Sequence, residues 1–363
     1  MSNPPTHASA TKVGTERQLF LDERLIERCE GSTLRYHTPT PREVVLTFDR
    51  PWEGRTSWAP IVFRDEGRYR LWYRASGPEA EGEQHLTHNY TGYAESQDGV
   101  CWERPNLEQV RFDGQPTNIC IDDPDAKDVA VFKDPRSNVP DSERYKVIGH
   151  SERPGRERGE LHAKVSADGL AWEAIDEEPI IVAPADDPQF DSPVNAFWDP
   201  NRQRYVVYTR GWYPDGPQRR IRAIRMATSP DFRDWSDWEY ITVQDWSAWQ
   251  HHLYTNAAHR YYRAPYYLMY PKRFFPDRMG DPEWSHAGLS DVLCLASRDG
   301  RSWTQVGDRA FIAPGLDQNN WHDRAISVGP NTVPTGDGEM SIFAGSRCGR
   351  MALSRSQAEL VGA

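Results

Sequence analysis

Short apolar runs, separated by turn residues, recur along the whole chain. One pair consists of Ala59-Pro-Ile-Val-Phe63 and Arg68-Tyr-Arg-Leu-Trp-Tyr73, joined by the turn Arg64-Asp-Glu-Gly67. Two such runs joined by a glycine-containing turn are typical of a β-hairpin. Similar pairs of runs begin at Val129 and at Asn195, and in the fifth unit Asn331 to Val333 pairs with Glu339 to Phe343. The pattern therefore predicts many short antiparallel strands.

A second hairpin signal, S-x-D-G-x-x-W, is repeated in the sequence. It runs from Ser96 to Trp102, from Ser166 to Trp172 and from Ser297 to Trp303. The segment Ser229 to Trp235 keeps its Ser, Asp and Trp, and Ser354 begins a partial fifth copy, so that the serines lie 57 to 70 residues apart. Asp-Gly between alternating runs indicates a tight turn, and the Trp can wedge between sheets, so we interpret this box as structural.

Four strands in each of five repeated units predict an all-β fold, a five-bladed β-propeller. The fifth unit ends early, whereas Arg17 to Ile26 and Thr33 to Tyr36 precede the first unit without a place of their own. We therefore predict that a strand from the amino-terminal region completes the last blade and closes the ring, which removes an exposed sheet edge. We expect a single domain over residues 1–363, with residues 1–16 as a disordered tail.

The composition supports this interpretation and excludes several partners. Aromatic residues make up 12% of the chain, including 14 Trp and 16 Tyr, which suits short strands better than a helical core. A net charge of −11 argues against nucleic acid. No apolar run is long enough for a membrane span, and no signal peptide is visible. The five cysteines are scattered and lack any CxxC pair, so we expect a cytoplasmic protein with reduced thiols. The sequence does not predict an oligomeric state.

The chemistry of a propeller is expected on the innermost strands, whose beginnings converge on one cavity. Asp128, Asp191 and Asp323 stand at or just before three of these predicted strands. Glycoside hydrolysis uses two carboxyl groups, one protonated and one ionised. We predict Asp191 and Asp323 as this pair and Asp128 as a modulator of the pKa of the acid. Structural ion pairs, for example with the neighbouring Lys127 or Arg324, are the alternative.

Several other residues could complete a sugar site. The predicted contacts with a saccharide substrate are stacking or hydrogen bonding by side chains at the starts of the inner strands, namely Trp58, Tyr254, Asn256, Trp321, His322 and Arg324. Core packing is the alternative for the aromatic residues. Glu53 and Glu160 are competing acids, with Glu160 expected to be solvated. We expect no cofactor and no metal, because the spacing of the four histidines matches no ligand signature. These histidines are His251, His252, His259 and His322, and a metal ion bound by them is the alternative.

The repeated S-x-D-G-x-x-W box and three further segments together resemble those of a bacterial group of proteins. These segments are Arg17 to Ile26, Arg50-Pro-Trp-Glu-Gly54, and Phe190 to Pro200 with Arg204 to Tyr208. That group is similar to the five-bladed propeller glycoside hydrolases of families 32 and 43. The resemblance implies a glycosidase that cleaves a saccharide in its central cavity.

Two observations limit the resemblance. The Asn-Asp-Pro-Asn-Gly strand of family 32 is absent, because Ser57-Trp-Ala-Pro-Ile61 stands in its place. Lys133-Asp-Pro135 aligns internally with hairpin turns, so no catalytic role is assigned to Asp134. The alternative function is a propeller that binds carbohydrate without cleaving it. Acids locked in ion pairs would favour that alternative.

Overall fold

The chain is almost entirely β-structure. The computed structural model describes residues 12–54, 56–77, 88–151, 153–187, 189–213, 221–244, 252–279, 282, 287–315, 322–347 and 358–362. In these ranges the helical segments are two 3-10 turns, Glu23–Leu25 and Asp141–Glu143. The predicted all-β class is therefore confirmed. No helix in the described part of the chain is long and apolar enough to cross a membrane.

Three four-stranded antiparallel sheets follow one another along the chain. The first sheet contains Trp58–Asp65, Arg68–Ala75, Tyr90–Ser96 and Trp102–Glu103, and Ile119–Ile121 pairs with its third strand. The second contains Lys127–Lys133, Tyr145–His150, Glu160–Ser166 and Glu173–Ala174, and Ile181–Val182 pairs with its third strand. The third contains Asn195–Asp199, Arg204–Tyr213, Ile221–Ser229 and Glu239–Tyr240. Each sheet ends on the short strand that follows a repeated box.

The fourth and fifth sheets are less regular. The fourth contains His259–Arg260, Tyr267–Met269, Leu295–Ser297 and Ser302–Gln305, and Thr242–Val243 pairs in parallel with the last of these. A separate three-stranded sheet contains His252–Leu253, Lys272–Phe275 and Leu289–Val292. The fifth contains Ser327–Val328, Phe343–Arg347, Ala358–Gly362 and Val44–Phe48. Two small hairpins pair Val333–Gly336 with Glu339–Ser341 and Arg111–Phe112 with Gln115–Pro116.

The core consists of clusters between successive sheets. Apolar side chains join the first sheet to the second, the second to the third, the third to the fourth and the fourth to the fifth. The remaining cluster joins the fifth sheet to the first, with Leu46 and Phe48 packed against Leu71 and Tyr73. Both faces of a sheet are thus covered, which explains why Arg68–Ala75 is buried along nearly its whole length.

The strand from the amino-terminal region differs from the segments that the sequence suggested. Val44–Phe48 pairs with Ala358–Gly362, whereas residues 17–26 and 33–36 contain no strand and only the turn Glu23–Leu25. Asp22 caps that turn and forms an ion pair with Arg298. The apolar residues Leu19 and Leu21 cover the cluster between the fourth and fifth sheets. Their alternating pattern therefore reflects docking onto a core and not strand pairing.

The fifth unit also corrects a prediction. The run from Asn331 to Val333 is predicted to pair with Glu339 to Phe343 as the first hairpin of the fifth sheet. In the structure Val333–Gly336 and Glu339–Ser341 form a separate hairpin, and Ser327–Val328 pairs with Phe343–Arg347 instead. The correct strand is only two residues long, too short for an alternating pattern to reveal.

Candidate functional site

A cavity of about 510 Å³ lies where the sheets converge. Its walls include Trp58 from the first sheet, Asp128 from the second, Arg222 from the third and Ser327 from the fifth. The three-stranded sheet beside the fourth contributes Lys272. A cavity of this volume lies in the range that holds a small ligand.

Backbone strain marks the entrance to the innermost strand of every sheet. A non-glycine residue with positive φ stands in or just before each first strand, namely Ala59, Asp128, Ser192, Ala257 and Arg324. Such conformations cost about 1–3 kcal/mol each and tend to cluster at ligand sites. Three of these residues, Asp128, Ser192 and Arg324, line the cavity. The strained residues therefore lie at the starts of the inner strands, where the sequence predicts the functional residues.

Asp128 lines the cavity but is held in an ion pair. Its Oδ1 lies 2.8 Å from Nη1 of Arg74, and only 2% of its side chain is exposed. Arg74 Nη2 also donates to the carbonyl oxygen of Thr56 at 2.8 Å. Arg74 therefore fastens the carboxylate to the start of the first sheet, with both groups facing the cavity.

Asp191 is the more accessible of the two cavity carboxylates. Its Oδ2 accepts from Nη2 of Arg210 at 2.6 Å, while 51% of its side chain is exposed. Burial raises the pKa of Asp191, but the charge and hydrogen bond of Arg210 outweigh this and hold the pKa below its usual range. The group is consequently ionised at neutral pH and can accept hydrogen bonds from a ligand.

Asp323 is placed differently from the other two acids. Its side chain is 1% exposed and forms an ion pair with the adjacent Arg324. Arg324 lines the cavity, whereas Asp323 does not belong to the described lining. The three acids are also not at equivalent positions, since Asp128 lies inside the strand Lys127–Lys133 while Asp191 and Asp323 precede their strands. Its burial sets Asp323 behind the cavity wall.

The predicted sugar-contact residues separate into three groups. Trp58, Tyr254 and Arg324 line the cavity. Asn256 and His322 do not belong to the described lining; Asn256 is buried and fastens the third and fourth sheets together through hydrogen bonds with Asn195 and the carbonyl oxygen of Pro193. Trp321 lies outside the described residues. The aromatic residues at the cavity wall are thus available for stacking on a sugar ring.

The competing acids lie away from the cavity lining. Glu53 is buried and forms an ion pair with Arg104 at 2.9 Å, and its carboxylate also accepts from Tyr73. Glu160 is buried as well, contrary to the expectation that it is solvated, and it lies 3.3 Å from His162 Nε2. Both glutamates therefore have structural partners. In the described part of the chain, no three His, Cys, Asp or Glu side chains are grouped as a metal ion would require.

A series of basic residues at or just beyond the cavity end of the second strands was not predicted. In four sheets a tyrosine of the second strand pairs with the serine that begins the box, as Tyr69 does with Ser96. Five residues beyond these tyrosines stand Arg74, His150, Arg210 and Lys272. The constant spacing from tyrosine to basic residue is the signal that sequence analysis could have used.

His150 is the buried member of this series. Burial lowers the pKa of His150 to about 4, with the nearby charges of Asp128, Lys127 and Asp191 as smaller influences. Its Nε2 has no hydrogen-bond partner among the described residues. The imidazole is therefore neutral at physiological pH and lies behind the acids of the cavity wall.

Arg222 was also missed and lies inside an aromatic cage. Its guanidinium carbon is 4.7 Å from the ring centres of Trp212 and Tyr254 and 5.3 Å from that of Phe274. Burial lowers the pKa of Arg222, and the nearby Arg210 lowers it further. No carboxylate of the described residues lies within ion-pairing distance of it. Arg222 thus brings to the cavity a cation that forms no ion pair with the described residues, although the charge of Asp191 acts on it from a greater distance.

The repeated boxes lie at the opposite end of the strands and form turns, as predicted. Asp98 Oδ1 accepts from the backbone N–H groups of Val100 and Cys101 at 2.8 and 2.7 Å, and these bonds hold the pKa of Asp98 at about 2. Gly99 has φ of 79° and donates to Ser96 Oγ. The boxes at Ser166, Ser229 and Ser297 repeat this arrangement. The structural interpretation of the box is confirmed.

Comparisons of sequence assign no family. No family model matches the chain. Two uncharacterised proteins of Mycobacterium tuberculosis, from two strains, are each 26% identical over 158 residues, which are 42% of this chain and 46% of the relative. The match spans less than half the length of these curated relatives. Neither name states an activity.

Comparisons of structure identify the kind of fold. A glycoside hydrolase matches with a TM-score of 0.60 and 14% identity, over 90% of this chain and 91% of the other. An N-acetylgalactosamine deacetylase from F. plautii, in complex with blood group B trisaccharide, also gives 0.60 at 14% identity, over 90% and 95%. A fructofuranosidase from Schwanniomyces occidentalis, complexed with fructosylnystose, gives 0.54 at 12% identity, over 88% and 57%. The chain therefore has a fold like that of propeller glycoside hydrolases, as the resemblance predicted, and likeness at these identities establishes the fold alone.

Proposed function

We propose that the chain is a single five-bladed β-propeller closed by Val44–Phe48. The five sheets, the five core clusters that join each sheet to the next, and the pairing of Val44–Phe48 with Ala358–Gly362 support this. Closure in this way ties the amino-terminal region to the last sheet, and the edge that remains there is the five-residue strand Val44–Phe48. The beginnings of the inner strands then surround one central cavity.

We further propose that the protein binds a saccharide in this cavity and hydrolyses a glycosidic bond there. The observation that carries the proposal is that two carboxylates, Asp128 and Asp191, line the same cavity as two aromatic side chains, Trp58 and Tyr254. Aromatic rings stack on the apolar faces of sugars, and paired carboxyl groups are the usual means of glycoside hydrolysis. The solved structures with the same fold include a glycoside hydrolase and a fructofuranosidase.

Accessibility and charge suggest the individual roles. Asp191 is ionised and half-exposed, which suits the base or the nucleophile. Asp128 is the second carboxyl group of the proposed pair because it also faces the cavity. Asp323, which the sequence favoured for the pair, is proposed instead to act as the modulator, through its ion pair with Arg324.

A screen of the purified protein against nitrophenyl glycosides and polysaccharides tests the proposal. With a substrate found, Asp191→Asn should lower turnover roughly 100-fold or more with little change in melting temperature, because the shape is kept and the titrating group is lost. Asp237→Asn, an exposed acid outside the cavity lining, is the matched control. EDTA should not change the rate if the side chains act without a metal. Full activity of Asp191→Asn would overturn the assignment.

Binding without cleavage is the second candidate function. The ion pairs of Asp128, Asp191 and Asp323 with arginines favour it, because a carboxylate fixed by an arginine is poorly placed to exchange protons. Titration calorimetry with saccharides that the protein does not hydrolyse separates the two functions. Binding that persists in Asp191→Asn, with no turnover by the wild type on any substrate of the screen, would favour the binding function.

A further inference from the structure

Three ion pairs hold charges at or behind the cavity wall, and Arg222 of the lining forms none with the described residues. Arg74 neutralises Asp128, Arg210 neutralises Asp191, and Arg324 neutralises Asp323. Arg222 lines the same cavity, and no carboxylate of the described residues pairs with it. A desolvated cation without a matching anion is costly unless a ligand supplies the negative charge.

The surroundings of Arg222 fix its position but leave hydrogen bonds unfilled. Trp212, Tyr254 and Phe274 surround the guanidinium plane and hold it by cation–π attraction. Its Nη1 lies 3.2 Å from His252 Nδ1, which a neutral imidazole can offer as an acceptor. Its Nε is buried and has no hydrogen-bond partner among the described residues. Aromatic rings satisfy the face of a guanidinium and leave its N–H edge for a bidentate acceptor.

The positive character of this wall contrasts with the rest of the molecule. The chain as a whole carries a net charge of −11, whereas the described lining includes Arg74, Arg222, Lys272 and Arg324 beside only Asp128 and Asp191 as carboxylates. A general excess of arginine in the sequence therefore does not explain the positive wall. An anionic ligand would meet attraction at Arg222 and no uncompensated carboxylate among the described groups.

We propose that the cavity selects a saccharide that bears a carboxylate, a uronic acid, and that the guanidinium of Arg222 binds this carboxylate. This inference rests on the proposed function, since it names the class of sugar for the same cavity. Trp58 stacks on the sugar ring, and Asp191 faces the ring from the third sheet, so Arg222 fixes the orientation of the sugar. Arg222 is thus a specificity-determining residue.

Matched pairs of sugars test the inference by titration calorimetry at pH 7. The probes are galacturonate against galactose and glucuronate against glucose, each as the free sugar and as its short oligosaccharide. We expect at least tenfold tighter binding of the acidic member of a pair, and weakening of that preference at high salt. Arg222→Gln should remove the preference, and Arg222→Lys should restore part of it. Arg204→Gln, which removes an exposed arginine at the far end of the same sheet, is the charge-matched control.

The outcomes separate this inference from the proposed function. Equal binding of acidic and neutral sugars, or a preference that survives in a folded Arg222→Gln variant, overturns the inference and leaves saccharide binding intact. Absence of binding to every sugar, acidic or neutral, overturns the proposed function and the inference with it. If Arg222→Gln does not fold, two measurements that keep the cation replace it, namely the salt dependence of binding by the wild type and the affinities of Arg222→Lys. A preference for acidic sugars that does not weaken at high salt and is unchanged in Arg222→Lys then overturns the inference.

Discussion

The two ends of each sheet are built according to different rules. At the turn end, the boxes that begin at Ser96, Ser166, Ser229 and Ser297 form the same hydrogen bonds in four sheets. At the cavity end, the positions five residues beyond the second-strand tyrosines hold Arg74, His150, Arg210 and Lys272, each in different surroundings. The repeated end thus carries the bonds that shape the turns, and the variable end carries the proposed ligand site. The variation between repeats therefore locates function better than the repeat itself.

The turn end is also where neighbouring sheets are fastened together. Trp72 Nε1 of the first sheet donates to the carbonyl oxygen of Gly169 in the second at 2.9 Å. Tyr208 of the third sheet donates to the carbonyl oxygen of Gly300 in the fourth at 2.6 Å. These bonds use the backbone of the turn, so they depend on its shape and not on the identity of its exposed side chains. The turn end can repeat while the cavity end diverges.

The largest expected effect concerns the strand that the fifth sheet takes from the amino-terminal region. Deletion through Phe48 should abolish folding, because the fifth sheet loses Val44–Phe48 and the core loses Leu46 and Phe48. Deletion through Tyr36 keeps that strand and should lower the melting temperature only by the loss of the contacts of Leu19, Leu21 and Asp22. Thermal melting followed by circular dichroism compares the two. Equal melting temperatures would contradict closure by this strand.

At the turn end, Trp303→Ala should cost about 3–5 kcal/mol of unfolding free energy, because Trp303 is 1% exposed and packs between the third and fourth sheets. The equivalent Trp102 is only half-buried, so Trp102→Ala should cost less. Urea denaturation measures both. Sugar affinity should be unchanged in each folded variant, and a selective loss of affinity would break the separation between the two ends.

At the cavity end, His150 should make the protein sensitive to acid. Its pKa is about 4 in the folded protein, below the usual 6.5, so between these values the unfolded chain binds more protons than the folded one. Stability should therefore be complete above pH 6.5 and fall as the pH decreases towards 4, by about 3 kcal/mol from this group. His259 has a similarly lowered pKa and adds to the effect. His150→Gln should flatten the pH profile of the melting temperature; an unchanged slope would show that other groups cause it.

The smallest effect is expected for Trp58→Ala. The ring lines the cavity and is half-buried beneath Arg74, so its removal should change stability little. Loss of stacking should weaken saccharide binding about threefold to tenfold, in keeping with about 0.5–1.5 kcal/mol for an aromatic contact. Titration calorimetry with the tightest sugar of the screen measures this. Trp102→Ala serves as the control. Equal losses of saccharide affinity in both variants would contradict the assignment of binding to the cavity end alone.

The sequence alone predicted the structures that are formed by residues close together along the chain. The box beginning at Ser96 is formed by bonds within six residues, so its pattern is readable directly. Asp128 and Asp191 were found because acids near apolar runs are conspicuous. Arg222 could not be found in this way, because its cage joins Trp212, Tyr254 and Phe274 from separate segments. The fifth unit was misaligned because Ser327–Val328 is too short to show a period.

The contact between the fifth and first sheets has a consequence for the order of folding. Tyr69 donates a hydrogen bond to the carbonyl oxygen of Pro334, 265 residues away, and Trp102 packs edge-on against Phe343. The other four interfaces join segments that are adjacent in the sequence and can form as synthesis proceeds. Contacts between distant segments carry a large loop-closure entropy and form slowly. During synthesis only Leu46 and Phe48 can cover Leu71 and Tyr73 at first, and the cluster is completed when Val333 and Phe343 have been made. This face of the first sheet is therefore the last to be fully covered, and exposed apolar surface of this kind favours aggregation.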